Sequence, residues 1–224
     1  MLAWDCARLT AIHSAVGSVE TADTASGHPA YYLDANGRYD RKDRLSRLLD
    51  HAEAIGARER ILTIEEPLAE DANIEVGDLG VIISADESAH SAGHVRERLQ
   101  LGYGMIALKP IAKTLSMSLD MLAVAREKNV PCFCADLTVN PILVEWNKLM
   151  AAHLQPLPGL RIGAFEINGT ANYKRWETLC AYHPLAGRPW TRPQRGRFTL
   201  DDDFYATMGG ILTPSAHYAE AMPA

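Results

Sequence analysis

Four short apolar runs in this sequence end on residues that can do chemistry together. They are Leu33-Asp34-Ala35-Asn36-Gly37, Ile64-Glu65-Glu66-Pro67, Ser84-Ala85-Asp86-Glu87-Ser88 and Ala107-Leu108-Lys109-Pro110. Asp34, Glu65 and Asp86 offer three carboxylates, and carboxylates held close repel one another unless a cation neutralises them. An all-oxygen set with no paired His or Cys suits Mg2+ or Mn2+ better than zinc. Water and substrate oxygens then fill the remaining positions. Lys109 is a candidate base, because burial and a nearby cation bring a lysine toward its neutral form at working pH. Asn36 can hydrogen-bond to a ligand from behind. Glu66 and Glu87, each following an acid of the set, are candidates for the same supporting role or for balancing charge.

The elements that must hold these residues alternate strictly. Residues 1–16 read as a helix, with Trp4, Leu9, Ile12 and Val16 at about helical spacing, and 17–29 as a polar loop. Strands are predicted at 30–33, 61–64, 80–83, 105–108, 130–135 and 160–165, the last two closing near Asp136 and at Glu166. Between the first two, Asp40 can cap a helix whose stripe is Leu45, Leu48, Leu49, Ala52 and Ile55, and Gly56 sits where a glycine ends a helix. Helices are also expected at 89–100, at 114–128, and after Pro141, which sits at the favoured first position. In that last helix Ile142, Trp146, Leu149 and His153 share a stripe. Another helix is read at 170–182, and Asp201-Asp202-Asp203 as a solvated turn.

Strand ends spaced about 21 to 31 residues apart suit right-handed βα steps, so the strands run parallel with their C-terminal ends on one face. A doubly wound sheet and a (β/α)8 TIM-type barrel both fit this α/β pattern. The phosphate-binding patterns G-x-G-x-x-G and G-x-x-x-x-G-K are absent, which favours the barrel. There, functional residues gather at the C-terminal strand ends.

Composition points to an ordinary globular chain: 47% apolar, 22% charged, mean hydropathy −0.12. The net charge of −6 provides no basic field for nucleic acid or an anionic membrane. No apolar stretch approaches the roughly 20 residues of a membrane span, and the first residues do not read as a secretory signal. Cys132 and Cys134, a C-x-C in a strand, read as buried core thiols of a reducing cytoplasm. His90, His94 and His153 read as surface or packed residues.

Taken together, L-D-A-N-G, I-E-E-P-L, A-D-E-S and L-K-P resemble the barrel domain of the enolase superfamily, above all its mandelate racemase and muconate-lactonizing enzyme branch. The resemblance runs from residue 1 to 188 and leaves 189–224 as a C-terminal tail. It implies that Asp34, Glu65 and Asp86 bind an essential Mg2+ and that Lys109 ends the sixth barrel strand as an acid/base. It implies a lyase or isomerase that removes the proton α to a small substrate's carboxylate, giving a metal-stabilised enediolate. Racemase or epimerase, cycloisomerase and dehydratase chemistries all fall within it. An aspartate third ligand with a lysine on the sixth strand is more like the cycloisomerases, dipeptide epimerases and methylaspartate ammonia-lyases than mandelate racemase. A homo-oligomer in the cytoplasm is expected.

The sequence also departs from the family pattern. The second-strand K-x-K is expected about thirty residues before Asp34, near Asp5, yet the first lysine is Lys42. The N-terminal capping domain and two strands have no counterpart. About six βα units, strands three to eight, are therefore expected, as a fragment or as a short paralogue that closes by dimerising. The glycine pair after the sixth-strand lysine is replaced by Thr114-Leu115-Ser116. Lys113 reads either as a group at the barrel mouth or as a solvated helix start, and Asp136 and Glu166 as substrate contacts or strand-end caps. The alternative function is a non-catalytic binding or assembly protein that keeps the scaffold; a third is an unrelated Mg2+-binding α/β protein.

Overall fold

In the computed structural model, which describes residues 2–135 and 138–222, five of the six expected strands form. They are β1 (Tyr31–Asp34), β2 (Ile61–Glu65), β3 (Ile83–Ala85), β4 (Met105–Leu108) and β5 (Cys132–Cys134). They lie side by side in chain order, β1-β2-β3-β4-β5. The ladders from β1 to β4 are parallel, as short βα connections require. All four residues of β4 and all three of β3 are buried, the near-continuous apolar pattern of a parallel strand covered on both faces. This is the sheet of an incomplete βα barrel. The expected strand at 160–165 shrinks to two single bridges, Leu160 antiparallel to Thr24 and Phe165 parallel to Cys134. Gly163 lies inside that run and supplies no side chain to pack, which weakens a strand.

The chain divides into two compact units. The first comprises Met1–Leu108, Ser116–Phe133 and Gln155–Ala164. Its helices are α1 (Leu2–Val16), α2 (Lys42–Ala54), α3 (Ala92–Gln100) and most of α4 (Leu115–Glu127). Helix α2 buries the expected stripe of Leu45, Leu48, Leu49 and Ala52. It ends as predicted: Gly56 takes φ 73°, and the amide of Ala57 reaches back to the carbonyl of Ala52. Asp40 does not cap it, and instead pairs with Arg44 one turn on. Helix α1 buries Leu9 alone and leaves Trp4 62% exposed, so the stripe read there is not a core face. In α4 the buried face is Met121, Leu122, Val124 and Ala125, while Leu115 and Leu119 are exposed. Both β5 cysteines are buried and neither is in a disulfide among the described residues, and burial pushes the Cys132 thiol up to about 12, as befits an inert core thiol. No helix among the described residues is long and apolar enough to cross a membrane.

The second unit comprises Lys109–Leu115, Cys134–Leu154 and Phe165–Ala224. Its principal helix is α5 (Pro141–Ala152), capped by the Asn140 side chain, which accepts from the amides of Ile142 and Leu143. The remaining helices are short: α6 (Gly169–Asn172), α7 (Trp176–Ala181), α8 (Asp202–Thr207) and α9 (Ala216–Ala221). The single helix expected at 170–182 is thus two. The aspartates at 201–203 open a helix and not a turn, with Asp201 and Asp202 exposed as expected. Asp201 caps α8 by accepting from the amide of Phe204, and Asp203 accepts from the indole N–H of Trp190.

Helix α5 buries a different face from the one its apolar stripe suggests. Val144, Glu145, Asn147, Lys148 and Met150 are buried, Ile142, Trp146 and Leu149 only half so, and His153 is exposed. The Lys148 ammonium uses all three protons: two bonds to the Glu145 carboxylate and one to the carbonyl of Trp190, each 2.9 Å. It also lies 3.8 Å from the centre of the Phe198 ring. Burial pushes Glu145 up and Lys148 down, each opposed by the charge of the other. A charged pair this well satisfied can be covered by Trp190 and Phe204, both fully buried.

His183 stands against this pair, with Nε2 3.9 Å from Glu145 and Nδ1 accepting from the amide of Leu185. Burial, then the Lys148 charge, pushes its imidazole down to about 4 from 6.5. Between those values the unfolded chain takes up a proton that the folded chain refuses, so at His183 acidification through that window favours unfolding. Glu145 acts in the opposite sense, since its raised value makes the folded chain the better proton acceptor. In a proton-NMR titration the His183 ring signals are expected to keep their neutral-form shifts down to about pH 4. A midpoint at the ordinary histidine value would mean the ring is solvated.

Candidate metal centre

The first unit brings three carboxylates together at adjacent strand ends. Glu65 is the last residue of β2, and Asp86 and Glu87 follow the last residue of β3. One carboxylate oxygen from each lies within 4.8 Å of the others. Glu65 is 3% exposed and Asp86 1%, so water screens their repulsion poorly. Two oxygens on opposite sides of one hard cation are about 4 to 5 Å apart, given bonds of about 2.0–2.1 Å to Mg2+ and 2.3–2.6 Å to Ca2+. The oxygen-only donor set and its spread therefore fit such an ion.

Asp34 ends β1 and is the ladder partner of Glu65, yet its carboxylate is not one of the three that converge. It is exposed and turned into its own loop, accepting from the amide of Asn36 and from the Asn36 side chain. Asn36 and Gly37 both take positive φ, 49° and 67°, which folds the chain tightly back after β1. That turn is tied to the next strand end, Ala35 to Glu65 and Tyr39 to Pro67 through backbone hydrogen bonds. Asp34 also borders a cleft of about 270 Å³ whose lining includes Trp4, Arg8, Tyr32, Arg38 and Tyr39. The Tyr39 hydroxyl donates to Asp5 at 2.7 Å, and burial pushes it up.

Glu66 is fully buried and takes φ 34°. Its Oε2 accepts three hydrogen bonds, from the amides of Asp86 (2.8 Å) and Ser88 (3.1 Å) and from the Ser88 hydroxyl (2.9 Å). Sequence reasoning had no signal for this contact, since Glu66 and Ser88 are 22 residues apart and look like ordinary strand-end polar groups.

Lys109, Lys113 and Glu166 belong to the second unit. Lys109 directly follows β4 and is half-buried, and the turn after it closes with the amide of Lys113 donating to the Lys109 carbonyl at 2.8 Å. Lys113 is buried, not a solvated helix start. Glu166 is half-buried, its amide donating to the Cys134 carbonyl. Asp136 lies outside the described residues. His90, His94 and His153 are exposed, as expected.

No protein-family model matches the sequence, and no curated protein matches it significantly. Solved structures do. A mandelate racemase/muconate lactonizing protein from Herpetosiphon aurantiacus superposes with a TM-score of 0.60 at 23% identity, over 75% of this chain and 44% of that one. The L-Ala-D/L-Glu epimerase from Bacillus subtilis gives 0.61 at 22% identity, over 78% and 45%.

The fold is that of the mandelate racemase/muconate lactonizing enzyme barrel.

A dipeptide epimerase from Enterococcus faecalis V583, solved with Mg and the dipeptide L-Leu-L-Tyr, shares this barrel at a TM-score of 0.57 and 19% identity, over 75% and 44%. The chain spans less than half the length of these structures. The barrel class expected from the sequence is the one observed.

Proposed function

We propose that this chain carries the metal-binding strands of a Mg2+-dependent lyase or isomerase, able also to use Mn2+, that removes the proton α to a small substrate's carboxylate. One observation carries the reading: three acidic side chains converge at adjacent strand ends of a barrel-type sheet. It is supported by two dipeptide epimerases of the same fold that were solved with Mg and a dipeptide. Glu65 and Asp86 hold the cation, and Glu87 or Asp34 completes the set. A bound divalent cation supplies positive charge that withdraws electrons from a substrate carboxylate and acidifies the adjacent C–H. Lys109 accepts the α-proton on Nζ and returns it, or passes it to solvent, according to the reaction. Asn36 holds the Asp34 carboxylate in one orientation, and Glu66 fixes the backbone that carries Asp86 and Glu87.

Incubation with Mg2+ and a panel of dipeptides and small 2-substituted carboxylates in D2O tests this. Mass spectrometry is expected to find deuterium at the α-carbon of at least one compound, and Lys109→Ala is expected to abolish that exchange while Mn2+ binding persists. Exchange unchanged in Lys109→Ala would remove the base assignment. Metal binding with no exchange from any compound would favour the non-catalytic reading.

A further inference from the structure

Glu66 lies next to the converging acids, but its geometry is that of a brace. It is fully buried, and one of its oxygens takes three donors. Two of these are the backbone amides on either side of Glu87, so the carboxylate grips the chain at both ends of the segment that bears Asp86 and Glu87. The positive φ of Glu66 is uncommon for a residue with a side chain and belongs to positions the surroundings over-determine. Its other oxygen, Oε1, is buried with no hydrogen-bond partner among the described residues. A neutral amide of the same shape could accept the same donors only through uncharged bonds, which are roughly half as strong.

We propose that Glu66 is the positioning residue of the Glu65–Asp86–Glu87 group, holding the Asp86–Ser88 backbone so that the span between the carboxylates, and hence the size of cation accepted, is set in advance. The inference rests on the metal-binding reading above. Glu66 does not touch the ion; it acts through the two amides it holds.

Glu66→Gln keeps the shape and removes the charge. It is expected to bind Mn2+ about 10 to 100-fold more weakly by titration calorimetry. The EPR spectrum of bound Mn2+ should broaden and the preference for Mn2+ over the larger Ca2+ should fall, because a looser backbone no longer fixes the span. In the metal-free protein, hydrogen exchange at the Asp86 and Ser88 amides should speed up about tenfold or more, with β1 and β4 unchanged. A merely structural role would lower the melting temperature and leave the Mn2+/Ca2+ ratio as it was. An unchanged ratio with unchanged exchange at the two amides overturns the proposal. If the unmodified chain binds no Mn2+, the metal-binding reading falls, and the amide exchange alone decides whether Glu66 holds the segment. If Glu66→Gln does not fold, Ser88→Ala, which removes one of the three donors, carries the same measurements with a smaller expected loss, and an unchanged ratio and exchange there overturn the proposal.

Discussion

Lys148→Ala is expected to destabilise the chain by about 3–5 kcal/mol, the cost of breaking one side of a buried ion pair. Lys148 and Glu145 are each about 2% exposed, and the ammonium is the partner of both Glu145 oxygens and of the Trp190 carbonyl. Its removal leaves a buried carboxylate with the unprotonated His183 ring 3.9 Å away and a cavity beside Phe198. Urea denaturation followed by tryptophan fluorescence measures the loss, since Trp190 reports directly on this core. The paired change Glu145→Leu with Lys148→Met removes both charges at similar volume, and its cost should be much smaller than that of Lys148→Ala, because no unpaired charge remains. If the pair and the single variant cost the same, packing and not charge pairing accounts for the stability of this region.

Metal addition should give the second large effect. At about 100 times the dissociation constant, Mg2+ or Mn2+ bound only to the folded chain stabilises it by about 2.7 kcal/mol, and EDTA reverses the gain. Asp86→Asn is expected to eliminate the shift, because it removes the charge of a nearly fully buried carboxylate from a group of three. Asp34→Asn separates the two possible third ligands. A full metal shift in Asp34→Asn points to Glu87, and loss of the shift means that the Asp34 carboxylate turns inward from its loop when a cation arrives. Thermal melts with and without MgCl2 read all three proteins. A metal shift retained by Asp86→Asn would remove it from the centre.

Much of this was legible in the sequence because strand ends are local features. A short apolar run bounded by an acid and a turn residue predicts where a side chain emerges, so Glu65 and Asp86 could be placed on adjacent strand ends from spacing alone. The same local signals identified Gly56 and Pro141 at helix ends, and the buried stripe of α2. The parallel sheet followed from strict alternation, and the absence of phosphate-binding glycine patterns favoured a barrel over a doubly wound sheet.

Other features depended on partners far along the chain. The third acid that lies near Glu65 and Asp86 is Glu87, while the Asp34 carboxylate accepts hydrogen bonds from Asn36 in its own loop. The buried face of α5 inverted the apolar stripe. Glu145 and Lys148 neutralise one another, and the last lysine proton finds its acceptor at Trp190, 42 residues away. The sequence by itself therefore determined which residues stand at strand ends and in what order. Tertiary structure alone decided which of them meet and which charges are buried, because burying an ionised group depends on donors and acceptors that only the folded chain brings within reach.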